Sequence, residues 1–460
     1  MSTEEKMTIL LSLAFLTVIL IYFLYYGKSW ADTSSNFLFA DRSLKIASSG
    51  LAINSHWFWA IAMFVAPAAA YNWGIIGLLW FVIPNALALI VTAALTYHVR
   101  GKYIDGYSLT EFINDNFSKR VSIFYQVVFA VVALAGILLG FTAITKYFAF
   151  AGLVAVVDPI YASLVVGLIT LSFTMRGGIR TSIYTGTLQA ILWVAFLGTM
   201  VSGMIAGGFD FSVLGKNQLT TVFDEKFLTT FGLAFAGSII VGSTMHGMMW
   251  QKSFSMPKEN IWPSYIIASI IFAAVVFSMG SFGLYAHAHG LDVKGADLSS
   301  LAGILELYGP WAITLFGVLL IGQTSTVMDS CMNYISSLVS REWLHKDDTT
   351  SARLVMASFF LLAWLISWSK VEVWTIFMFM SAARLSMFIP LVFKVYQVRM
   401  REAIVFYGSF IVIAGAVYLS YMARELKNPI YDMYFVGYAI ASSLLACLIA
   451  TALAKQDETI

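Results

Sequence analysis

The chain has 460 residues, 60% of them hydrophobic and 11% charged, with a formal net charge of +2 at pH 7 and a mean hydropathy of +0.82. Ordinary soluble domains carry about 25% charged residues, so this composition leaves little chain for one. Basic residues scattered among loops argue against a nucleic-acid groove. The two cysteines, Cys331 and Cys447, both lie in apolar runs, which argues against a disulfide framework or a Cys-ligated metal.

A hydrocarbon core of about 30 Å is crossed by about 20 apolar residues of helix. About thirteen such runs follow one another, at 7–27, 46–70, 74–97, 121–149, 157–175, 182–207, 228–250, 263–286, 308–340, 352–369, 372–395, 403–422 and 431–453. The fold class is therefore all-α and polytopic, set in a lipid bilayer. The first run follows acidic residues in Met1–Lys6 and lacks a small-residue cleavage site, so it reads as a retained helix. The second mixes Asn54, Ser55 and His56 with Trp57, Phe58 and Trp59, then carries Pro67, which cannot donate to a helix ladder. The seventh carries Gly232, Gly237, Gly242 and Gly247 with Ser243, Thr244 and His246, a poor continuous helix by propensity. Two interrupted helices five spans apart suit an inverted-repeat transporter. The longest loops, about 208–227 and 287–307, are too short for a folded domain.

Polar groups inside spans mark a pathway, because they are costly in lipid. Asp329 is the only acidic residue deep in a span, and Arg384 follows Ser381-Ala382-Ala383 in the eleventh. Most of the 27 Lys and Arg residues fall in one alternating set of loops, including Arg42, Lys102, Arg180, Lys258, Arg341 and Arg399. The positive-inside rule then puts the N-terminus outside and the C-terminus in the cytoplasm, at the plasma (inner) membrane.

Several motifs fall in a recognisable order. Asn36-Phe37-Leu38-Phe39-Ala40-Asp41-Arg42-Ser43-Leu44 follows the first span, and Tyr107-Ser108-Leu109-Thr110-Glu111-Phe112-Ile113 follows the third. Gly177-Gly178-Ile179-Arg180-Thr181-Ser182-Ile183-Tyr184-Thr185-Gly186-Thr187-Leu188-Gln189 opens the sixth; Gln251-Lys252 closes the seventh; Thr326, Asp329, Ser330, Ser336, Ser337 and Glu342 pattern the ninth. Together they resemble the sodium:solute symporter family over almost the whole chain. Gly177-Gly178 also reads locally, as a tight turn that Arg176 and Arg180 anchor at the headgroups.

The resemblance implies a leucine-transporter-type fold: an N-terminal helix and entry loop (1–45), two inverted repeats (46–227 and 228–395, spans 2–6 and 7–11), and two C-terminal helices with a short cytoplasmic tail (396–460). The first helix of each repeat would be broken, with substrate between the breaks. It implies a sodium ion held by the carbonyls of Ser55, Phe58 and Gln323 and by hydroxyls of the ninth span. Aligned without gaps from Asp329-Ser330, the hydroxyl pair falls on Thr326 and Val327; a one-residue bulge would restore Ser325 and Thr326. The family's aspartate after the signature threonine is Gly186 here. The cation positions are thus Ser55, Phe58, Gln323, Ser325, Thr326 and Asp329, and the substrate positions His56, Trp57, Trp59, His246 and Arg384.

The expected function is alternating-access import of a small polar organic solute, coupled to sodium. Proton-coupled or uncoupled transport is the alternative, with Asp329 or His246 as the proton carrier. A membrane solute sensor is the alternative of another class, and it would need a separate partner, since no signalling domain follows the last span. No obligate protein partner is evident. No nucleophile elbow, His-Glu-x-x-His spacing or phosphate loop supports an enzyme.

Overall fold

The computed structural model describes residues 10–27 in part, 33–104, 106, 108–150, 158–207, 228, 232–289, 305, 309–369, 373–428 and 430–456. The predicted loop at 208–227, most of that at 287–307, and Tyr107 lie outside the described residues. Among the described residues there is helix and turn and no strand. After helical residues within 10–27 come α1 (Ser34–Phe39), α2 (Ile46–Trp57), α3 (Ala60–Lys102), α4 (Leu109–Asn116), α5 (Lys119–Phe150), α6 (Pro159–Ala206) and α7 (Leu233–Ile240). There follow α8 (Gly247–Phe254), α9 (Ile261–Ala288), α10 (Pro310–Leu338), α11 (Thr349–Ser367), α12 (Val373–Val395), α13 (Glu402–Glu425) and α14 (Ile430–Gln456).

Two of these helices are each two spans. At 1.5 Å per residue, the 43 residues of α3 and the 48 of α6 would reach about 65 to 70 Å, twice a bilayer core. Each instead reverses at one glycine: Gly74 at φ 63°, ψ −153° and Gly178 at φ 59°, ψ −142°. Only glycine takes this backbone without strain. With α2 joined to the first part of α3, and α7 to α8, the described helices make twelve crossings, and the predicted first span, 7–27, lies partly outside the described residues.

The turn at Gly178 is where the sequence expected it. A Cβ on Gly178 would lie 2.1 Å from the Phe37 carbonyl oxygen, so α1 is seated directly on the turn. Arg180 holds it there: Nη2 donates to Ala40 O at 3.1 Å and Ser43 Oγ at 3.0 Å, and Nε to Asn36 Oδ1. Arg180 therefore fastens α1 to the bundle. Local caps do the rest. Thr33 caps α1, Ser108 and Glu111 form a reciprocal capping box on α4, Asp158 caps α6 ahead of Pro159, and Asp348 caps α11, each satisfying donors that a helix start leaves free.

Lipid gives helices no hydrophobic reason to associate, so small residues that permit close approach decide the packing. A Cβ on Gly283 of α9 would lie 2.0 Å from the Pro67 carbonyl, and one on Gly280 2.1 Å from Leu78 Cδ1, which brings α9 hard against α3. Outside, Leu188, Ile191 and Val194 of α6, Leu361 and Leu365 of α11, Ile411 and Tyr418 of α13, and Leu444 and Leu448 of α14 are 40–61% exposed. An apolar exterior at helical spacing on four helices is the surface of an integral membrane protein.

Candidate functional site

Both predicted interruptions exist, and they face one another. The first falls at Phe58 and Trp59, between α2 and α3, with Pro67 further along inside α3. The second runs from Val241 to His246, between α7 and α8, with His246 as the residue entering α8 in extended backbone. Broken helices free backbone groups that lipid cannot satisfy, so the partners of the freed groups define the site.

At the first break every carbonyl from 54 to 58 has a donor. Asn54 O accepts from Phe58 N at 2.9 Å and Trp57 O from Trp59 N at 3.0 Å. His56 O accepts from the indole of Trp59 at 2.6 Å. Ser55 O and Phe58 O both accept from Gln323 Nε2 of α10, the latter at 2.9 Å. At the second break, Thr92 of α3 pairs with Ser243 Oγ at 2.6 Å and Thr244 Oγ1 at 2.9 Å, while Ser243 donates to Ala88 O at 2.7 Å.

Between the breaks lies a cavity of about 40 Å³, lined by Trp57, Trp59, Asn85, His246 and Arg384 together with apolar side chains such as Phe377. His246 packs edge-on against both tryptophans, with ring centroids 6.0 Å from Trp57 and 4.9 Å from Trp59. Gly242 makes room for the wall: a Cβ there would lie 2.9 Å from Trp57 Cη2 and 3.0 Å from Arg384 Nη1. Arg384 is 3% exposed. Its Nε donates to Met380 O of its own helix at 3.1 Å, and among the described residues no carboxylate lies within ion-pair distance of it. Trp57 Nε1 is also buried without a partner among the described residues. Trp57 Nε1 is thus a donor in this wall that is free for a ligand.

A separate polar network lies behind the first break. Asp329, 0% exposed, accepts on Oδ1 from Ser182 at 2.6 Å and Ser330 at 3.1 Å, and on Oδ2 from Thr185 at 3.0 Å. His56 Nε2 lies 2.9 Å from Ser182 Oγ and 3.8 Å from Asp329 Oδ1, while its Nδ1 faces the Ala52 carbonyl. Lys252, buried in α8, donates to Ser330 Oγ at 3.1 Å. One carboxylate thus ties together α2, α6, α8 and α10, and the Ser330 hydroxyl bridges it to a buried ammonium.

The predicted residues accordingly separate. Trp57, Trp59, His246 and Arg384 meet at the cavity. His56, placed with them by sequence, turns its ring toward Ser182 and Asp329 instead. Ser55, Phe58 and Gln323 do converge, but through the Gln323 side chain and not its carbonyl. Of the hydroxyl positions, Thr326 Oγ1 donates back to Gly322 O at 3.1 Å and Ser325 Oγ has no partner among the described residues, while Val327, the gap-free alternative, is apolar and buried. No bulge restores the pair, because α10 is continuous α-helix from Pro310 to Leu338. With Gln323 Nε2 donating to both the Ser55 and Phe58 carbonyls, the arrangement as it stands does not fit a sodium ion at this position. Sequence reasoning gave Ser182 and Lys252 no role of their own; a lysine at the end of the seventh apolar span, and separately Gly186 in place of an aspartate in the sixth, were the available signals.

No family model and no curated protein matches the chain. Solved structures do. A Na+-coupled sialic acid symporter in a substrate-bound outward-open state superposes with a TM-score of 0.73 at 15% identity, over 98% of each chain. Mhp1, a nucleobase-cation-symport-1 family transporter in a closed conformation with bromovinylhydantoin bound, gives 0.58 at 18% identity, over 91% of this chain and 95% of that one. A mutant of the Eremococcus coleocola manganese transporter gives 0.55 at 11%, over 92% and 96%. The chain therefore has the leucine-transporter-type fold, and at these identities the likeness extends to the fold alone.

Proposed function

We propose that this protein is a secondary transporter that moves a small anionic organic solute by alternating access, within the sodium:solute symporter family that its motifs resemble. One observation carries the reading: a buried guanidinium, Arg384, without a carboxylate partner among the described residues, in the wall of a cavity between two broken helices. A desolvated cation is costly unless met by an anion, and a carboxylate on the solute meets the guanidinium fork in two-point geometry. Trp57 Nε1 adds a second donor, and the tryptophan faces offer an apolar seat for the solute's body. Residues 46–227 and 228–395 form the two repeats, with the N-terminus outside.

A cavity of about 40 Å³ holds a few waters, not an organic solute, so binding requires the wall of Trp57, Trp59 and Arg384 to part. That requirement, together with neighbours described as outward-open and closed, supports alternating access. Sodium enters through the motif resemblance and the first neighbour's description, and the predicted position, with Gln323 donating to its carbonyls, does not fit it as it stands. The test is reconstitution into liposomes with a panel of small carboxylates, amino acids and neutral sugars as solutes. Saturable uptake or counterflow restricted to carboxylates supports the reading; binding of a carboxylate with no flux would make the protein a sensor, and uptake of neutral solutes alone would remove Arg384 as the solute's partner.

A further inference from the structure

Two of the three carbonyls that the family resemblance implies for a cation, those of Ser55 and Phe58, are already engaged by this chain's own side chain. A primary amide carries two protons in one plane, and Gln323 Nε2 points one at Ser55 O and the other at Phe58 O, 2.9 Å away. The orientation is fixed by chemistry, since a turned amide would place Oε1 against two carbonyl oxygens. Gln323 is fully buried, and its Oε1 has no partner among the described residues, so the donor edge alone is used. The opening has the acceptor pair a hard cation needs, yet the electropositive group between those acceptors is covalently attached to α10.

We infer that the Gln323 amide is a built-in replacement for a bound cation at the break between α2 and α3. The broken helix is then fastened to α10 by two hydrogen bonds that form on folding, and no sodium is needed to close this part of the core. Moving α2 away from α10 requires parting these hydrogen bonds and not the release of an ion. The inference uses the same broken helix as the transport reading, but its consequence is read in stability and needs no flux.

The experiment is thermal unfolding of the purified full-length protein in detergent, with sodium chloride replacing choline chloride at constant ionic strength. Ligands that bind only the folded state must raise the midpoint. The wild type is expected to stay flat within about 1 °C. Gln323→Ala, which leaves both carbonyls without their donor, is expected to start lower and to gain a saturable, sodium-specific rise of about 3 °C or more. Gln323→Lys keeps a donor on the same backbone position and is expected to remain insensitive to sodium. A saturable, sodium-specific rise in the wild type overturns the inference, and that titration needs no variant. A Gln323→Ala protein that folds and ignores sodium overturns it as well, because the vacated carbonyls would then have no affinity for a cation. Loss of flux in liposomes with these stability results intact would remove the transport reading alone.

Discussion

The ring of His56 fills the space that any side chain at residue 186 would need: a Cβ on Gly186 would lie 2.7 Å from His56 Cε1 and 3.2 Å from Ala52 Cα. An aspartate, which the motif resemblance leads one to expect there, would therefore collide with the His56 ring. Gly186→Asp is expected to destabilise the protein by about 1–3 kcal/mol through overpacking, and not to create a cation site by itself. In a His56→Ala background the added cost of Gly186→Asp is expected to shrink by at least half. Thermal midpoints of the four proteins in detergent check this; equal costs in both backgrounds would separate the two residues.

The spans, the reversal at Gly177-Gly178 and both helix breaks were legible because each is a local property of the chain: apolar run length, a glycine at a turn, polar residues where lipid should be. The direction of His56 was not. It neighbours Trp57, and only the position of α6 decides that one ring faces Ser182 while the other faces the cavity. Gln323 was legible as a residue of the predicted site and illegible in its role, since whether a backbone carbonyl or a side-chain amide reaches α2 depends on the distance between two helices.

Asp329 and Lys252 are bridged by the Ser330 hydroxyl in surroundings without exposed surface. Removing one member of a buried charge pair costs about 3–5 kcal/mol, because the other is left uncompensated. Asp329→Asn and Lys252→Gln are each expected to lower stability by about 3 kcal/mol, and the double variant to lose clearly less than the sum. A double-mutant cycle on unfolding midpoints measures the coupling, and strict additivity would show that the two charges do not sense each other.

Arg384→Gln should leave the fold intact and strip the cavity wall of its charge. For a carboxylate solute the expected loss in transport efficiency is about 100-fold, near 3 kcal/mol for truncating one partner of a buried charged hydrogen bond. A neutral analogue of the same solute should be affected by less than about tenfold. Uptake by the variant with both solutes measured side by side decides it; equal losses for the two would make Arg384 a packing residue.

Gly178 combines a positive φ with a carbonyl contact, so Gly178→Ala meets both obstacles. The backbone conformation costs about 1–3 kcal/mol for a residue with a Cβ, and Phe37 O must move besides, since the built Cβ lies 2.1 Å from it. The expected result is a poorly folded protein with α1 detached, read as protease sensitivity around 34–42. Gly198→Ala, where a Cβ meets nothing within 4 Å, is the matched control and is expected to be neutral.

The reversals at Gly74 and Gly178 join two membrane-spanning helices through a single residue apiece. A hinge of that length transmits torque almost without slack: neither helix of a pair can slide or rotate far without carrying the other end of its partner. Whatever rearrangement admits a solute, each hairpin must travel as a lever pivoting near its glycine, and α1, resting on the Gly178 turn and gripped by Arg180, rides with it. The short helix at 34–39 is thereby placed where displacement at the bundle's edge reports movement at its centre.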